Sequence, residues 1–277
     1  MLQAIKGVDI VEKYISELLK IRYKVKENAP LIHCITNPIS INDCANAVLA
    51  LGAKPIMAEH PLETADITAG AAALCVNLGN ITDVRLEGIT AAARSANKNN
   101  VPIIIDAVGV TCSRLRKDFC KGFINQYKPE IIKGNAAEIK ALAGEKFAAK
   151  GIDSNEKDVN SVLEAAKALA IKSSCVVLSS GKTDIVTDGK KSALISNGCE
   201  MMSQLTGTGC MLGAVTAAFL SCADAFDSAV LGCGFFGICG ELSQFAKGTG
   251  SFRIMLMDSI YATDNETVAD RLKIEII

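Results

Sequence analysis

Along the chain, short unbroken apolar runs alternate with longer stretches in which apolar residues recur every three or four positions. Unbroken apolar runs are typical of strands covered on both faces of a parallel sheet, whereas a period of 3.6 residues indicates a helix. The pattern predicts strands near 54–58, 73–79, 101–107, 130–135 and 175–180. It predicts helices at 8–19, 42–51, 82–99, 113–127, 136–143 and 157–171.

The order of these elements predicts the fold class. Strands that alternate with helices form right-handed βαβ units, with helices on both faces of the sheet. A hairpin is predicted around Asp188-Gly189, and helical patterns dominate from there to about residue 262. The sequence contains no long linker, internal repeat or low-complexity segment. We therefore expect one α/β domain over residues 1–277, with a mostly parallel sheet.

Polar residues that could bind a ligand or take part in catalysis lie at the carboxyl ends of the predicted strands, where open parallel sheets bind ligands. Asp106 follows VPIII, Lys133 and Asn135 follow EII, and Ser180 follows CVVLS. Asp106 could simply cap a turn at the end of its strand. An unpaired carboxylate so close to the core, however, needs a cation or a hydrogen-bond donor nearby. Lys133 fits a solvated lysine as well as the counter-charge of a phosphate.

The segment NAAE, from Asn135 to Glu138, has the form of a helix-capping box. A second interpretation is that Glu138, at the same edge as Asp106, helps to hold a hydrated Mg²⁺. The two roles are compatible with each other, and the capping role is the commoner one for this pattern.

A glycine turn precedes a late helical stretch in SQLTGTGCMLGAVTAAFL, where Gly207, Thr208 and Gly209 come directly before Cys210. Cys210 fits a small buried apolar residue. Alternatively, freed backbone amides at the positive end of a helix form an anion site beside a reactive thiol. The turn is neither a Walker A loop nor a dinucleotide fingerprint, and its late position favours a phosphoryl-transfer enzyme.

The composition indicates which kinds of partner and which cellular compartment fit this protein. A net charge of −1 and a pI of about 6.2 provide no basic field for nucleic acid or anionic membranes. Eleven cysteines without a C-x-x-C, together with two histidines, predict no zinc site and fit a reducing cytoplasm.

The uncharged stretch 201–223 is broken by the glycine turn, so we expect a buried helix rather than a membrane span. His33 and His60 leave open a nucleophilic Cys-His arrangement with Cys210, as in a thiol hydrolase.

Several ordered motifs between about residues 30 and 263 resemble the hydroxyethylthiazole kinases of the ribokinase-like superfamily. The most specific is PLIHCITNPISINDCANAVLALGAKPIMA, residues 30–58, which resembles the substrate segment of that family. The others are IIIDAVGVTCSRLR, IIKGNAAEI, SSGKTDIVTDG and TGTGC. They resemble the acidic strand end, the phosphate and magnesium motif, the nucleotide-side motif and the anion hole.

The resemblance implies a three-layer ribokinase-like fold and ATP-dependent phosphorylation of 4-methyl-5-(2-hydroxyethyl)thiazole, a step towards thiamine phosphate. It implies Mg²⁺ as cofactor and a homotrimer with active sites at subunit boundaries. The implied thiazole contacts are Met57, Gly207 and Asn37, and the implied ATP contacts are Lys133, Ser180, Thr208 and Gly209. The implied magnesium ligands are Asp106 and Glu138, and Cys210 is implied beside the substrate hydroxyl.

Two motifs depart from the family pattern. The usual Asp-Pro-Val-Gly-x-Gly-Ala-Thr reads DAVGVTCS from Asp106, which loses a proline and a glycine. The usual arginine before Gly-Asn is Lys133, which replaces a bidentate fork by a point charge. Related kinases for hydroxymethylpyrimidine or pyridoxal carry Asp where Cys210 stands, so the thiol would occupy a general-base position. Another small-alcohol kinase of this superfamily and the thiol hydrolase are the alternatives.

Overall fold

The computed structural model describes residues 2–144 and 159–277, with side chains from residue 12 onward. The strands of this part are β1 (Leu31–Ile35), β2 (Lys54–Ile56), β3 (Ala73–Asn77), β4 (Ile103–Asp106), β5 (Ile131–Asn135), β6 (Val176–Ser180), β7 (Asp184–Thr187), β8 (Ser192–Ile195) and β9 (Ile274–Ile276). The first helices are α1 (Leu2–Asn28), α2 (Ile41–Ala50), α3 (Thr64–Ala69), α4 (Asp83–Asn99), α5 (Arg114–Tyr127) and α6 (Ala136–Ala143). They are followed by α7 (Val159–Ser173), α8 (Thr208–Leu220), α9 (Ala225–Ser243), α10 (Thr249–Ala262) and α11 (Asn265–Arg271), with a 3₁₀ helix at Glu200–Gln204.

The strands form one sheet in the order β2-β1-β3-β4-β5-β6-β7-β8-β9. Pairing is parallel from β2 to β6 and antiparallel from β6 to β9. The carboxyl ends of six strands therefore meet at one edge. The expected mostly parallel sheet is confirmed, and so is the hairpin, which joins β7 to β8.

Both faces of the sheet are covered by helices, because successive strand residues point to opposite sides. On β4, Ile104 belongs to one apolar core, which includes residues of α1, α2, α8, α9, α10 and α11. Its neighbours Ile103 and Ile105 belong to a second core, formed with α4, α5, α6 and α7. Burial on both faces explains why these strands read as unbroken apolar runs.

Two central helices are almost entirely apolar. Residues 211–220 of α8 are all buried, which confirms the expected buried helix in that stretch. Within the described residues, α9 is the single helix long and apolar enough to cross a membrane, and 83% of its apolar window is buried inside the protein. Core helices of folded proteins commonly have this composition.

The predicted strands and helices agree with the structure to within about two residues at their ends, apart from the first helix. The start of the predicted helix 157–171 lies outside the described residues, and its remainder corresponds to α7. The first helix runs far beyond 8–19, because the buried stripe of Leu18, Ile21 and Val25 continues through a charged segment. Strand β1 was missed, since His33 interrupts its apolar pattern, and α3, α11 and β9 were also missed.

Candidate active site

Gly207 ends the loop before α8 with φ of +91°, in the left-handed region that favours glycine. A Cβ atom here would lie 3.0 Å from the Cβ of Ser40, so space also favours glycine. The helix begins at Thr208, and Thr208, Gly209 and Cys210 are therefore its first three residues rather than turn residues before it. Their amide groups have no carbonyl partner within the helix and lie at its positive end, where an anion can bind.

The first residue of α8 is hydrogen-bonded to the preceding 3₁₀ helix. The Thr208 hydroxyl donates to the carbonyl oxygen of Met202 at 2.9 Å. Further back, Glu241 accepts from the amide of Gly198 at 3.1 Å and from the ammonium of Lys273 at 2.9 Å. These contacts hold the loop that leads to Gly207.

Three polar residues lie side by side across neighbouring strands at the carboxyl edge. Asn77 of β3 is in register with Asp106 of β4, and Asp106 is in register with Lys133 of β5. All three are at most 2% exposed. They lie two residues beyond strand positions that face α8, and a Cβ atom at Gly213 of α8 would lie 3.7 Å from Oδ2 of Asp106. The glycines of α8 therefore let the helix pass close above this polar row.

Asp106 and Lys133 form a buried ion pair, with 3.0 Å between Oδ2 and Nζ. Burial raises the pKa of Asp106, against the opposing charge of the Lys133 ammonium. For Lys133, burial alone lowers the pKa, but the charge and hydrogen bond of Asp106 outweigh it and the pKa is raised. Lys133 is thus a charged interior group rather than a solvated one. A Cβ atom at Gly209 would lie 3.6 Å from its Nζ, which places the ammonium beneath the first turn of α8.

Cys210 lies beside this ion pair and is half-buried. Its sulfur accepts hydrogen bonds from Nδ2 of Asn37 at 3.2 Å and from Nδ2 of Asn77 at 3.3 Å. The same Nδ2 of Asn77 donates to Oδ2 of Asp106 at 2.9 Å. Asn77 is the site residue that the sequence analysis missed, although it ends an apolar run just as Asp106 does.

The two histidines have other partners. The ring of His33 is buried, and its nitrogens lie 2.8 Å from Oγ1 of Thr68 and 2.9 Å from the carbonyl oxygen of Ala58. Burial lowers the pKa of His33, which favours the neutral ring. His60 is exposed, and its Nδ1 accepts from the amide of Leu62. Neither arrangement supports a Cys-His nucleophile.

Glu138 caps α6 and at the same time holds a neighbouring loop. Its Oε2 accepts from the amide of Asn135 and its Oε1 from the amide of Gly109, both at 2.8 Å, and Asn135 Oδ1 accepts from the Glu138 amide at 2.9 Å. The predicted capping box is confirmed. Among the described residues, Oδ1 of Asp106 is buried without a hydrogen-bond partner. One carboxylate with a spare oxygen near a second carboxylate fits Mg²⁺, which takes one or two carboxylates together with phosphate oxygens and water.

Met57 and Ser180 lie on either side of this centre, at the carboxyl ends of β2 and β6. The loop after Met57 is held by α4, because Nε of Arg85 donates to Oε2 of Glu59 at 2.9 Å. Ser180 begins the turn to β7, where Asp184 accepts from the amide of Gly181 at 2.9 Å. Burial raises the pKa of Asp184 to about 6. The ligand roles of Met57 and Ser180 stay predictions.

A family model described as the hydroxyethylthiazole kinase family matches residues 23–266. The chain is also 48% identical over 262 residues to hydroxyethylthiazole kinase 2 of Clostridium botulinum, a match that covers 92% of this chain and 99% of that relative. The chain belongs to the hydroxyethylthiazole kinase family. The resemblance noted in the sequence is thereby confirmed, and with it the enzyme class, a phosphotransferase with an alcohol acceptor.

Solved structures agree with this membership. The structure of a hydroxyethylthiazole kinase protein from Pyrococcus horikoshii matches with a TM-score of 0.86 at 28% identity, over 95% of this chain and 99% of that one. The ADP complex of Bacillus subtilis pyridoxal kinase shares the fold, with a TM-score of 0.57 at 16% identity over 76% of this chain and 90% of that one. The expected ribokinase-like fold is therefore confirmed.

Proposed function

We propose that this member of the hydroxyethylthiazole kinase family transfers the γ-phosphoryl group of ATP to the hydroxyethyl group of 4-methyl-5-(2-hydroxyethyl)thiazole. The product is the thiazole phosphate used to make thiamine diphosphate. The observation that carries the proposal is the position of Cys210, in the first turn of α8 and directly beside the Asp106–Lys133 pair. A proton acceptor, an anion site and a buried cation are thus brought together at one point.

Phosphoryl transfer passes through a loose transition state, so the protein acts mainly by positioning groups and stabilising charge. The backbone amides of Thr208, Gly209 and Cys210 would receive oxygens of the transferred group. The ammonium of Lys133, beneath Gly209, would add a fixed positive charge. Cys210 would accept the proton of the substrate hydroxyl as that oxygen attacks.

Mg²⁺ would be held through Asp106 and Glu138, and it would neutralise charge on the phosphates. The spare oxygen of Asp106 supports the first assignment. Glu138 already accepts one backbone amide on each carboxylate oxygen, and each oxygen keeps a lone pair for a metal-bound water. Glu138 would therefore act through water, while it also shapes the loop at Gly109.

The remaining contacts follow the edge of the sheet. Met57, Gly207 and Asn37 would bind the thiazole alcohol, and Ser180 would lie on the ATP side with Lys133. We place the reaction in a single kinase domain, in the cytoplasm, within a homotrimer whose sites lie at subunit boundaries. No nucleic acid or membrane partner is expected.

The test is ADP release by the purified protein with Mg-ATP and a panel of alcohols: the hydroxyethylthiazole, hydroxymethylpyrimidine and pyridoxal. We expect the thiazole alcohol to give by far the highest kcat/KM. A preference for pyridoxal or hydroxymethylpyrimidine would overturn the substrate assignment while leaving the kinase class intact. ADP release that does not depend on any alcohol would contradict the acceptor role of the site.

A further inference from the structure

Asn77, at the end of β3, is not among the residues assigned a role in the proposed reaction. Its side chain is 2% exposed and touches both the sulfur of Cys210 and the carboxylate of Asp106. A buried amide that bridges two reactive groups is an unusual use of an asparagine, because a core residue at this strand position would normally be apolar.

The orientation of the Asn77 amide is determined by its partners. The amide of Gly79 donates to Oδ1 at 2.9 Å, and Nδ2 of Asn37 donates to the same oxygen at 3.2 Å. On the other side, a carboxylate oxygen of Asp106 can only accept when it is ionised. Oδ1 and Nδ2 of Asn77 are thus assigned without ambiguity, and Nδ2 presents its hydrogens to Asp106 and Cys210.

Asn37 is oriented in the same way. Its Oδ1 accepts from the backbone amides of Ile39 at 3.1 Å and Ser40 at 3.2 Å, so its Nδ2 points to Asn77 and to Cys210. The sulfur of Cys210 consequently faces two N–H donors. A neutral thiol is a weak acceptor, whereas hydrogen bonds to an ionised acceptor are about twice as strong as those between neutral groups.

The backbone nearby leaves room for this pair of amides. A Cβ atom at Gly79 would lie 2.8 Å from Nδ2 of Asn37 and 2.8 Å from Oδ1 of Asn77. An alanine at this position would therefore push the two amides apart. The glycine and the paired asparagines form one arrangement, which we call the amide pair, Asn37 and Asn77.

We propose that Asn77 is a positioning residue for phosphoryl transfer, which acts by donating a hydrogen bond to the sulfur of Cys210 and holding that sulfur beside Asp106 while it accepts the substrate proton. This inference rests on the proposed function. In the step it serves, the substrate oxygen bonds to the γ-phosphorus while the bond to the bridging oxygen of ADP breaks. The hydroxyl proton passes to the sulfur, so that a thiolate becomes a thiol and ADP leaves with the electron pair of the broken bond.

The first experiment is a double-mutant cycle on kcat with Asn77→Ala and Cys210→Ala. We expect Asn77→Ala to lower kcat about tenfold in the wild-type background, as for the loss of one hydrogen bond to a charged group. In the Cys210→Ala background the same change should alter kcat by no more than about twofold. Equal effects in both backgrounds would overturn the proposal, because Asn77 would then act without the sulfur.

A second readout needs no turnover. Alkylation of Cys210 by iodoacetamide, measured by peptide mass mapping, should be slower in Asn77→Ala, whereas alkylation of the exposed Cys112 should be unchanged. Faster alkylation of Cys210 would contradict the proposal, since it would show that Asn77 only restricts access. Because this measurement requires no substrate, it also tests the inference if the thiazole alcohol proves not to be the acceptor.

Two variants keep the test informative. Asn99→Ala removes an exposed amide that donates to the carbonyl of Ser95, and it should leave both kcat and alkylation unchanged. If Asn77→Ala does not fold, Asn77→Ser supplies a smaller change that retains one donor. Its kcat should lie below that of the wild type, with a KM for ATP within about twofold of the wild-type value. A wild-type kcat in a folded Asn77→Ser protein that alkylates at the wild-type rate would overturn the role.

Discussion

The buried ion pair of Asp106 and Lys133 makes a prediction about stability that does not depend on catalysis. Lys133→Met preserves much of the side-chain length and removes the charge. The Lys133 and Asp106 side chains are 3% and 2% exposed, so the remaining carboxylate would be buried without its cation. Removing one partner of such a pair costs about 3–5 kcal/mol, a large part of a typical unfolding free energy of about 5–15 kcal/mol.

The matched control removes both charges. In the double variant Lys133→Met/Asp106→Asn, no ion remains to be desolvated, and the new amide can still pair with Asn77. Replacing a buried ion pair by neutral groups is often close to neutral in stability. We therefore expect the double variant to be more stable than Lys133→Met alone by at least about 2 kcal/mol.

The pH dependence has a definite sign. Burial already raises the folded-state pKa of Asp106 in the wild type, and loss of the Lys133 charge would raise it further. The contribution of a group with a raised folded-state pKa is fully present below the unfolded pKa and is lost as the pH rises through the folded pKa. The deficit of Lys133→Met relative to the wild type should therefore shrink as the pH falls from 7 towards 4.

The assay is urea unfolding followed by circular dichroism, at fixed protein concentration and with a reductant to protect the eleven cysteines. Two outcomes would refute the reasoning. One is a Lys133→Met protein as stable as the wild type at pH 7. The other is a double variant less stable than the single one, which would mean that the carboxylate is solvated or paired elsewhere.

Three further predictions concern other parts of the site. Cys210→Ala should lower kcat by about 10²-fold and Cys210→Asp should retain far more activity, with no covalent adduct in intact-protein mass spectra; an inactive aspartate variant with a wild-type adduct would indicate a nucleophile. Asp184, whose pKa is about 6 against an ordinary 3.8, loses its stabilising contribution as the pH rises through 6. The stability of Asp184→Asn relative to the wild type should therefore increase by roughly 2–3 kcal/mol from pH 4 to pH 7 in urea unfolding, and a flat difference would contradict this. Arg85→Lys should loosen the loop after Met57 and raise the KM for the thiazole alcohol by roughly tenfold while leaving that for ATP unchanged, because lysine cannot reproduce the guanidinium fork on Glu59; equal changes in both KM values would count against it.

Much of the fold follows from local pattern. The unbroken apolar runs predicted a parallel sheet, because strands that are buried on both faces have apolar residues at every position. Since ligands bind at the carboxyl edge of such sheets, the sequence also predicted that Asp106, Lys133 and the turn before Cys210 lie near one another. Strand β1 was not predicted because His33 places a polar residue in the middle of its apolar run. In the folded chain both of its ring nitrogens have partners, and that is what makes its burial acceptable.

The chemistry of individual side chains was harder to predict. Lys133 fitted a solvated residue or a phosphate contact, and only the register of β4 with β5 shows that it pairs with Asp106. Asn77 carries no signal beyond ending an apolar run, since its side-chain partners come from β4, α8 and the loop after β1. Thr208 and Gly209 read as turn residues because glycine breaks helical patterns, although glycine at the start of α8 leaves space for the ammonium of Lys133.

The central claim is that the hydroxyl of the thiazole alcohol becomes a phosphate ester. The most direct measurement is mass spectrometry of the small molecules after incubation of the wild-type protein with Mg-ATP and the thiazole alcohol, with ADP quantified in the same samples. We predict a phosphate ester of the thiazole alcohol formed in equal amount to ADP, at a rate that falls in Cys210→Ala. ADP without the ester, or no consumption of ATP by a folded protein, would contradict the account.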